Sequence, residues 1–275
     1  MIPLPSVILL LLIVPFFPSL AFITLPSNAN IKTYSLRSIA PINDEQPIVK
    51  YNHFEQLFFD LFAKSVAIEM NDINNTPTTF KDLIKLINKM VISSPLSKVH
   101  DQGKNALVRL FPPFILPLYR LSFTKFPQFS AWMNTWVTHM TTSWLMGPSK
   151  VVDLVLENGG ISEIRKEQEL VIEKCIFLEE SKCLKTCIHA CKIPTQRFFA
   201  EEMSLPVTLK PNVTDYSCRF QFGVKPLPLE EDEISSVPYI AICPTKLGAD
   251  ARRQQLSVNA ITTSHSYSGV DVFSS

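Results

Sequence analysis

The chain has few glycines, seven in 275 residues, and they form no Gly-x-Gly-x-x-Gly or Walker pattern. Loops that cradle phosphates need such glycines for close backbone approach, so their scarcity argues against nucleotide chemistry. No His-Glu-x-x-His or Gly-x-Ser-x-Gly sequence occurs, which leaves no basis for a hydrolase. An excess of one charge is missing too: 26 Lys and Arg stand against 25 Asp and Glu, with no concentrated basic footprint. Nucleic acid is therefore not an expected partner. The first half of the chain contains no cysteine, and with hydrophobic residues at 46% overall it can bury a core without staples.

Cysteine is instead concentrated in one place. Five of the six fall between Cys175 and Cys218, and Cys183, Cys187 and Cys191 are spaced four apart. On a helix such positions lie one above another, so three thiols on one stripe can converge on a metal or cluster. Side chains stacked in parallel pair poorly with one another as disulfides. Three readings stand side by side. Six cysteines in a secreted chain suggest a disulfide framework. Structural zinc is a second reading, although zinc sites usually show Cys-x-x-Cys pairs. Iron or an iron–sulfur cluster is the third, since thiolates select soft metals and Cys243-Pro244 matches the Cys-Pro ending of many ferredoxin runs. On chemistry alone iron and zinc are level. His189 lies two residues from both Cys187 and Cys191, which turns it to the opposite side of a regular helix as a surface or supporting residue.

The N-terminus reads as an address. Residues 7–17 are an apolar, proline-interrupted run too short to span a bilayer, followed by the small-x-small sequence Ser19-Leu20-Ala21. Residues 1–21 are thus expected to be a cleaved signal peptide. Residues 22–45 form a transit-like segment, free of acid as far as Asn43, and with Phe22 at the junction they resemble the bipartite plastid presequences of algae with secondary plastids. A plastid location is expected. Secretion is the alternative, and Asn74-Asn75-Thr76 and Asn212-Val213-Thr214 would then be glycosylation acceptors.

The fold class expected is α+β: an N-terminal helical layer, then a small strand pair, a cysteine-rich helix and a loop-rich C-terminal part. Residues 46–148 form the helical part. Phe54, Leu57, Phe58, Leu61, Phe62 and Val66 keep helical spacing, and a second helix starts near Thr79, capped with Asp82. A shorter one covers 94–110 and stops at Pro112-Pro113. The stretch Phe114–Pro127 cannot be one straight helix. From Phe129 an aromatic helix carries Trp132, Trp136, Met140 and Trp144, ending at Gly147-Pro148. A core stripe is the plain reading of these residues, and the wall of a pocket for a long apolar ligand is the sharper one. In the cysteine-rich part, 149–250, strands are expected at Val151–Leu156 and Leu170–Phe177, and prolines punctuate a loop-rich region after Phe199. Residues 251–275 are expected to be a disordered tail.

The run Cys175-x-x-Leu178-Glu179-x-Ser181-x-Cys183-x-x-x-Cys187-Ile188-x-x-Cys191-Lys192-Ile193-Pro194-Thr195-Gln196-x-Phe198-Phe199 resembles the signature of the plastid β-carotene isomerase family of strigolactone biosynthesis. The likeness continues through Pro211-Asn212-x-x-Asp215-x-Ser217-Cys218, Phe222-Gly223-Val224 and Trp144-Leu145-Met146-Gly147-Pro148, spanning roughly residues 50–247. The resemblance implies an iron-containing, plastidial enzyme interconverting all-trans and 9-cis β-carotene, and peripheral association with the plastid membrane is a further expectation. It implies Cys183, Cys187, Cys191 and Cys218 as iron ligands, with Cys175 and Cys243 supporting. Some relatives carry a further cysteine where this chain has Tyr239, which sets Cys243 apart. The alternatives are a plastid iron–sulfur protein without isomerase activity, and a secreted, disulfide-bonded protein that binds an apolar ligand.

Overall fold

The computed structural model of the chain describes residues 51–158, 161–228 and 231–232. The expected signal peptide, the transit-like segment, Cys243 and the expected tail lie outside the described residues.

Helix α1 (His53–Glu69) begins where Asn52 accepts the N–H groups of Phe54 and Glu55 at 3.0 and 2.9 Å. Glu55 returns a carboxylate to the N–H of Asn52 at 3.0 Å, so the helix start leaves few amides unpaired. Its inner face buries Phe59, Ala63 and Val66. Helix α2 (Phe80–Ser93) is capped by Thr79, as expected, and buries Leu83, Ile84, Ile87, Met90 and Val91. Helix α3 (Leu96–Val108) follows Pro95.

Two helices divide the proline-rich stretch. In α4 (Ile115–Phe123) Pro117 falls in the first turn, where its missing N–H would have no partner anyway. Helix α5 (Pro127–Thr141) starts on a proline for the same reason. A single turn, α6 (Ser143–Met146), ends at Gly147, whose φ of +87° suits glycine. A Cβ there would also press on the carbonyl oxygen of Lys174 at 3.0 Å.

The sheet is larger than the expected strand pair. Strands β1 (Ser149–Asn158), β2 (Ile161–Ile172), β3 (Val207–Pro211) and β4 (Cys218–Phe222) lie in the order β1-β2-β4-β3, each pair antiparallel. Two strands expected as separate by a charged linker are one long hairpin, because that linker is itself paired: Arg165 lies opposite Leu154 and Glu163 opposite Leu156. The register slips between Val152 and Leu154. There Glu167 takes a φ of 53°, and its N–H donates to the Asp153 carboxylate at 2.9 Å. The second strand also stops at Ile172, and Phe177 belongs to a short helix, α7 (Ile176–Ser181).

After Lys182, in the left-handed conformation, the chain runs as one 19-residue helix over 184–202, α8. Two stretches of it, Cys187–Lys192 and Phe198–Glu202, have the wider π spacing. Pro194 sits inside this helix and has no N–H to give to the carbonyl of Ala190, so the turn before it opens. Helix α5 packs on the β1–β2 hairpin. On the opposite edge, Gln196 of α8 accepts the N–H of Leu209 at 2.9 Å and so covers strand β3. One buried cluster joins α1, α2 and α3 to Leu170, Ile172, Leu209, Phe220 and Phe222 of the sheet.

Candidate thiol centre and apolar cleft

Sheet register and helix position bring four thiols to one end of the sheet. Cys218 opens β4 opposite Ile172, the last residue of β2. Three residues beyond Ile172, the N–H of Cys175 donates to the carbonyl of Tyr216 at 2.7 Å, which pins the start of α7 beside the start of β4. Cys187 and Cys191 come from the first π stretch of α8. All four are free cysteines; Cys175, Cys187 and Cys218 are buried, and Cys191 is half-buried.

Burial pushes every one of these thiols up, because an apolar surround penalises the thiolate. Cys191 is raised to about 12, first by burial and then by the charge of Cys175. Cys187 and Cys218 rise well above the ordinary thiol value by burial, with Cys191 and Cys175 adding to it. Lys192 opposes the rise at both. Its ammonium is buried, with the side chain 2% exposed, and is bound to the Asp232 carboxylate at 2.5 Å. Left without a cation the four thiols are neutral; a bound metal would take their protons and hold them as thiolates. The donor set suits a soft metal in kind. In position it is not closed, since among the described residues no three His, Cys, Asp or Glu side chains stand close enough together to hold an ion.

Cys183 is not part of this group, which corrects the expected stripe of three. It precedes the first residue of α8 with extended backbone (φ −145°, ψ 107°), so the helical four-residue step does not reach it. It is also disulfide-bonded, which removes its thiolate. Of the five described cysteines the other four are free thiols. His189 is on the far side of the helix from the thiols' stripe, but it is buried rather than exposed. Its Nδ1 lies 2.9 Å from Nε2 of His100 on α3, and the two rings stack. Burial lowers the pKa of His189 to about 4, with His100 adding to the effect.

A narrow cavity of about 40 Å³, little more than room for a water molecule, lies between the helices beside this centre. Phe62, Met90, Leu107, Leu145 and Phe177 make its wall apolar, and Cys191 forms part of the same wall. Gln102 also lines it: its Nε2 donates to the carbonyl of Glu69 at 2.5 Å, while its buried Oε1 finds no partner among the described residues.

The family model described as "Beta-carotene isomerase D27-like, C-terminal" matches residues 144–231. Its span includes all four gathered cysteines. The chain is 32% identical over 202 residues to the chloroplastic beta-carotene isomerase D27 of Medicago truncatula, covering 72% of this chain and 76% of that protein. The chain belongs to the beta-carotene isomerase D27-like family. The corresponding protein of Arabidopsis thaliana is 28% identical over 203 residues, 73% of this chain and 74% of its own length. No solved structure matches the chain.

The aromatic residues expected as a pocket wall do not line this cavity. Trp132, Trp136, Met140 and Trp144 are all absent from the wall of the cleft. Trp132 and Trp136 turn toward β2, where both indole N–H groups donate to Glu167 at 2.7 and 3.0 Å. Met140 is exposed, and Trp144 is core, packed against Phe59 and Phe62. The cavity draws instead on α1, α2, α3, α6, α7 and α8. Its one signal in the sequence is the apolar inner side of α1 and α2, which reads equally well as ordinary core.

Proposed function

We propose that the chain is a plastid carotenoid isomerase acting on β-carotene between its all-trans and 9-cis forms. Family membership supports a carotene isomerase, and the observation that carries the reading here is the double position of Cys191. It belongs both to the gathered thiols and to the wall of an apolar cleft. At about 40 Å³ the cavity must widen, by parting of its helices, before a polyene can lie in it, and one that did so would pass beside the centre.

Iron is the metal proposed, and Cys175, Cys187, Cys191 and Cys218 are the residues that would hold it. When bound it would supply one-electron exchange, which lowers the bond order of a polyene enough for a double bond to rotate. The protein's own residues do the rest. Phe62, Leu107, Leu145 and Phe177 hold the hydrocarbon and exclude water. Lys192 places one buried positive charge beside Cys187 and Cys218, where it favours their thiolates.

The test is turnover by iron-reconstituted, anaerobically handled protein supplied with all-trans β-carotene. Chromatography should show 9-cis product with wild type and none with Cys187→Ser. A folded, iron-loaded protein that leaves the carotene unchanged would contradict the isomerase reading and favour an iron–sulfur protein of another role.

A further inference from the structure

Helix α4 is apolar on both sides. Ile115, Leu116, Tyr119 and Phe123 face the interior, yet Phe114 is 61% and Leu121 77% exposed. Phe111, 37% exposed with its ring stacked on Phe198, and Phe126, 41% exposed, flank the helix in the chain. Scattered exposed apolar residues are ordinary on a protein surface, but a helix with large apolar side chains on its outer as well as its inner side is not expected to face water. The charge around this exposed ridge is equally one-sided. Residues 102–152 contain no aspartate or glutamate, and Arg120 and Lys125 lie exposed on the ridge itself. Arg120 donates to the backbone carbonyl of Glu201 at 2.9 Å and keeps its charge. The carboxylate of Glu201 is already engaged by Lys104 and Arg197, at 2.7 Å each.

We propose that the ridge from Phe111 to Pro127 docks the protein on a lipid bilayer bearing anionic headgroups, with α4 lying in the plane of the interface. Phe114 and Leu121 enter the acyl boundary, and Arg120 and Lys125 stay at headgroup level. No helix among the described residues is long and apolar enough to cross a membrane, so the contact is peripheral. Charge decides for lipid over a second copy of the chain. Two ridges meeting face to face would bring Arg120 and Lys125 against their own copies, with no acid on the ridge to offset them. The inference stands on the ridge alone and is independent of what the thiol centre does.

Hydrogen exchange of the full chain, with vesicles of phosphatidylcholine alone or mixed with phosphatidylglycerol, tests it. The readout is local and so separates the ridge from the apolar N-terminus. The mixed vesicles should slow exchange across residues 111–127, salt should weaken the effect, and the double variant F114D/L121D should need about tenfold more lipid. Both substituted residues are exposed, so an unchanged circular dichroism melt would show that folding is intact. Vesicle binding that leaves 111–127 unprotected, equal protection in the variant, or no binding to either lipid would overturn the proposal. Protection that grows with protein concentration in the absence of lipid would overturn it in favour of self-association.

Discussion

Gly103 on α3 and Pro194 on α8 meet so closely that a Cβ on the glycine would stand 2.7 Å from Cγ of the proline ring. The contact fixes α8 where its first π stretch carries Cys187 and Cys191. Gly103→Ala cannot be absorbed without moving one helix, because the opposing atoms belong to a rigid ring. The variant should lose about 1–3 kcal/mol in denaturant unfolding, despite the higher helix propensity of alanine. A variant as stable as wild type would show that the two helices are not in contact.

The buried pair of Lys192 and Asp232 gives a second prediction. Asp232→Asn leaves an ammonium in the interior without its carboxylate, a change that typically costs about 3–5 kcal/mol. Replacing Lys192 by Met should cost less stability than Asp232→Asn, since the carboxylate left behind is 14% exposed and can reach water, whereas the ammonium is 2% exposed. It should nevertheless weaken metal retention, because it removes the positive charge beside Cys187 and Cys218. Denaturant midpoints and metal content of the two variants, compared side by side, check both parts.

The legibility of the sequence divides along physical lines. Helix α1 was readable from the apolar spacing of Phe54 to Val66, and α2 from Thr79 with Asp82 as well as its apolar face. The hairpin's middle was not. Residues 162–166 are mostly charged and partly or fully exposed, so they carry no apolar run, and only their pairing with β1 makes them a strand. Strands β3 and β4 were hidden among prolines that in fact stand at strand borders: Pro206 precedes β3 and Pro211 is its last residue. The cysteines were found as a group, but the even spacing misled at Cys183. Helix starts are set by backbone conformation at one residue, which a periodicity does not reveal. The tryptophan stripe was a real helix face. Its partner Glu167 lies 31 and 35 residues away across the hairpin, beyond the reach of local pattern.

That stripe supplies a contrast with the cleft. Trp136→Leu removes an indole bound to Glu167, outside the cleft, and should lower the melting temperature without altering which carotenoid isomers form. Leu107→Phe enlarges a side chain in the cleft wall and should change isomer ratio or rate more than it changes stability. The opposite pattern, measured by chromatography and thermal melting on the same preparations, would place the substrate against α5.

His189 separates support from ligation. Its ring is held by His100 and faces away from the thiols, so His189→Ala should retain most of the bound iron. His100→Ala strands a buried ring nitrogen and should destabilise the fold by about 1–3 kcal/mol, again with iron retained. Loss of iron from His189→Ala comparable to that from Cys187→Ser would make the histidine a ligand.

The most direct test is the alkylation rate of Cys191, read by mass spectrometry, because one residue is claimed to join the metal centre to the substrate cleft. Cys191 is the half-buried member of the four and the one that lines the cleft. Iron loading should protect it together with Cys175, Cys187 and Cys218, whereas saturating β-carotene added to metal-free protein should protect Cys191 well beyond the other three. Cys191 alkylated as fast with iron, or with carotene, as in the metal-free protein without either would contradict the shared site.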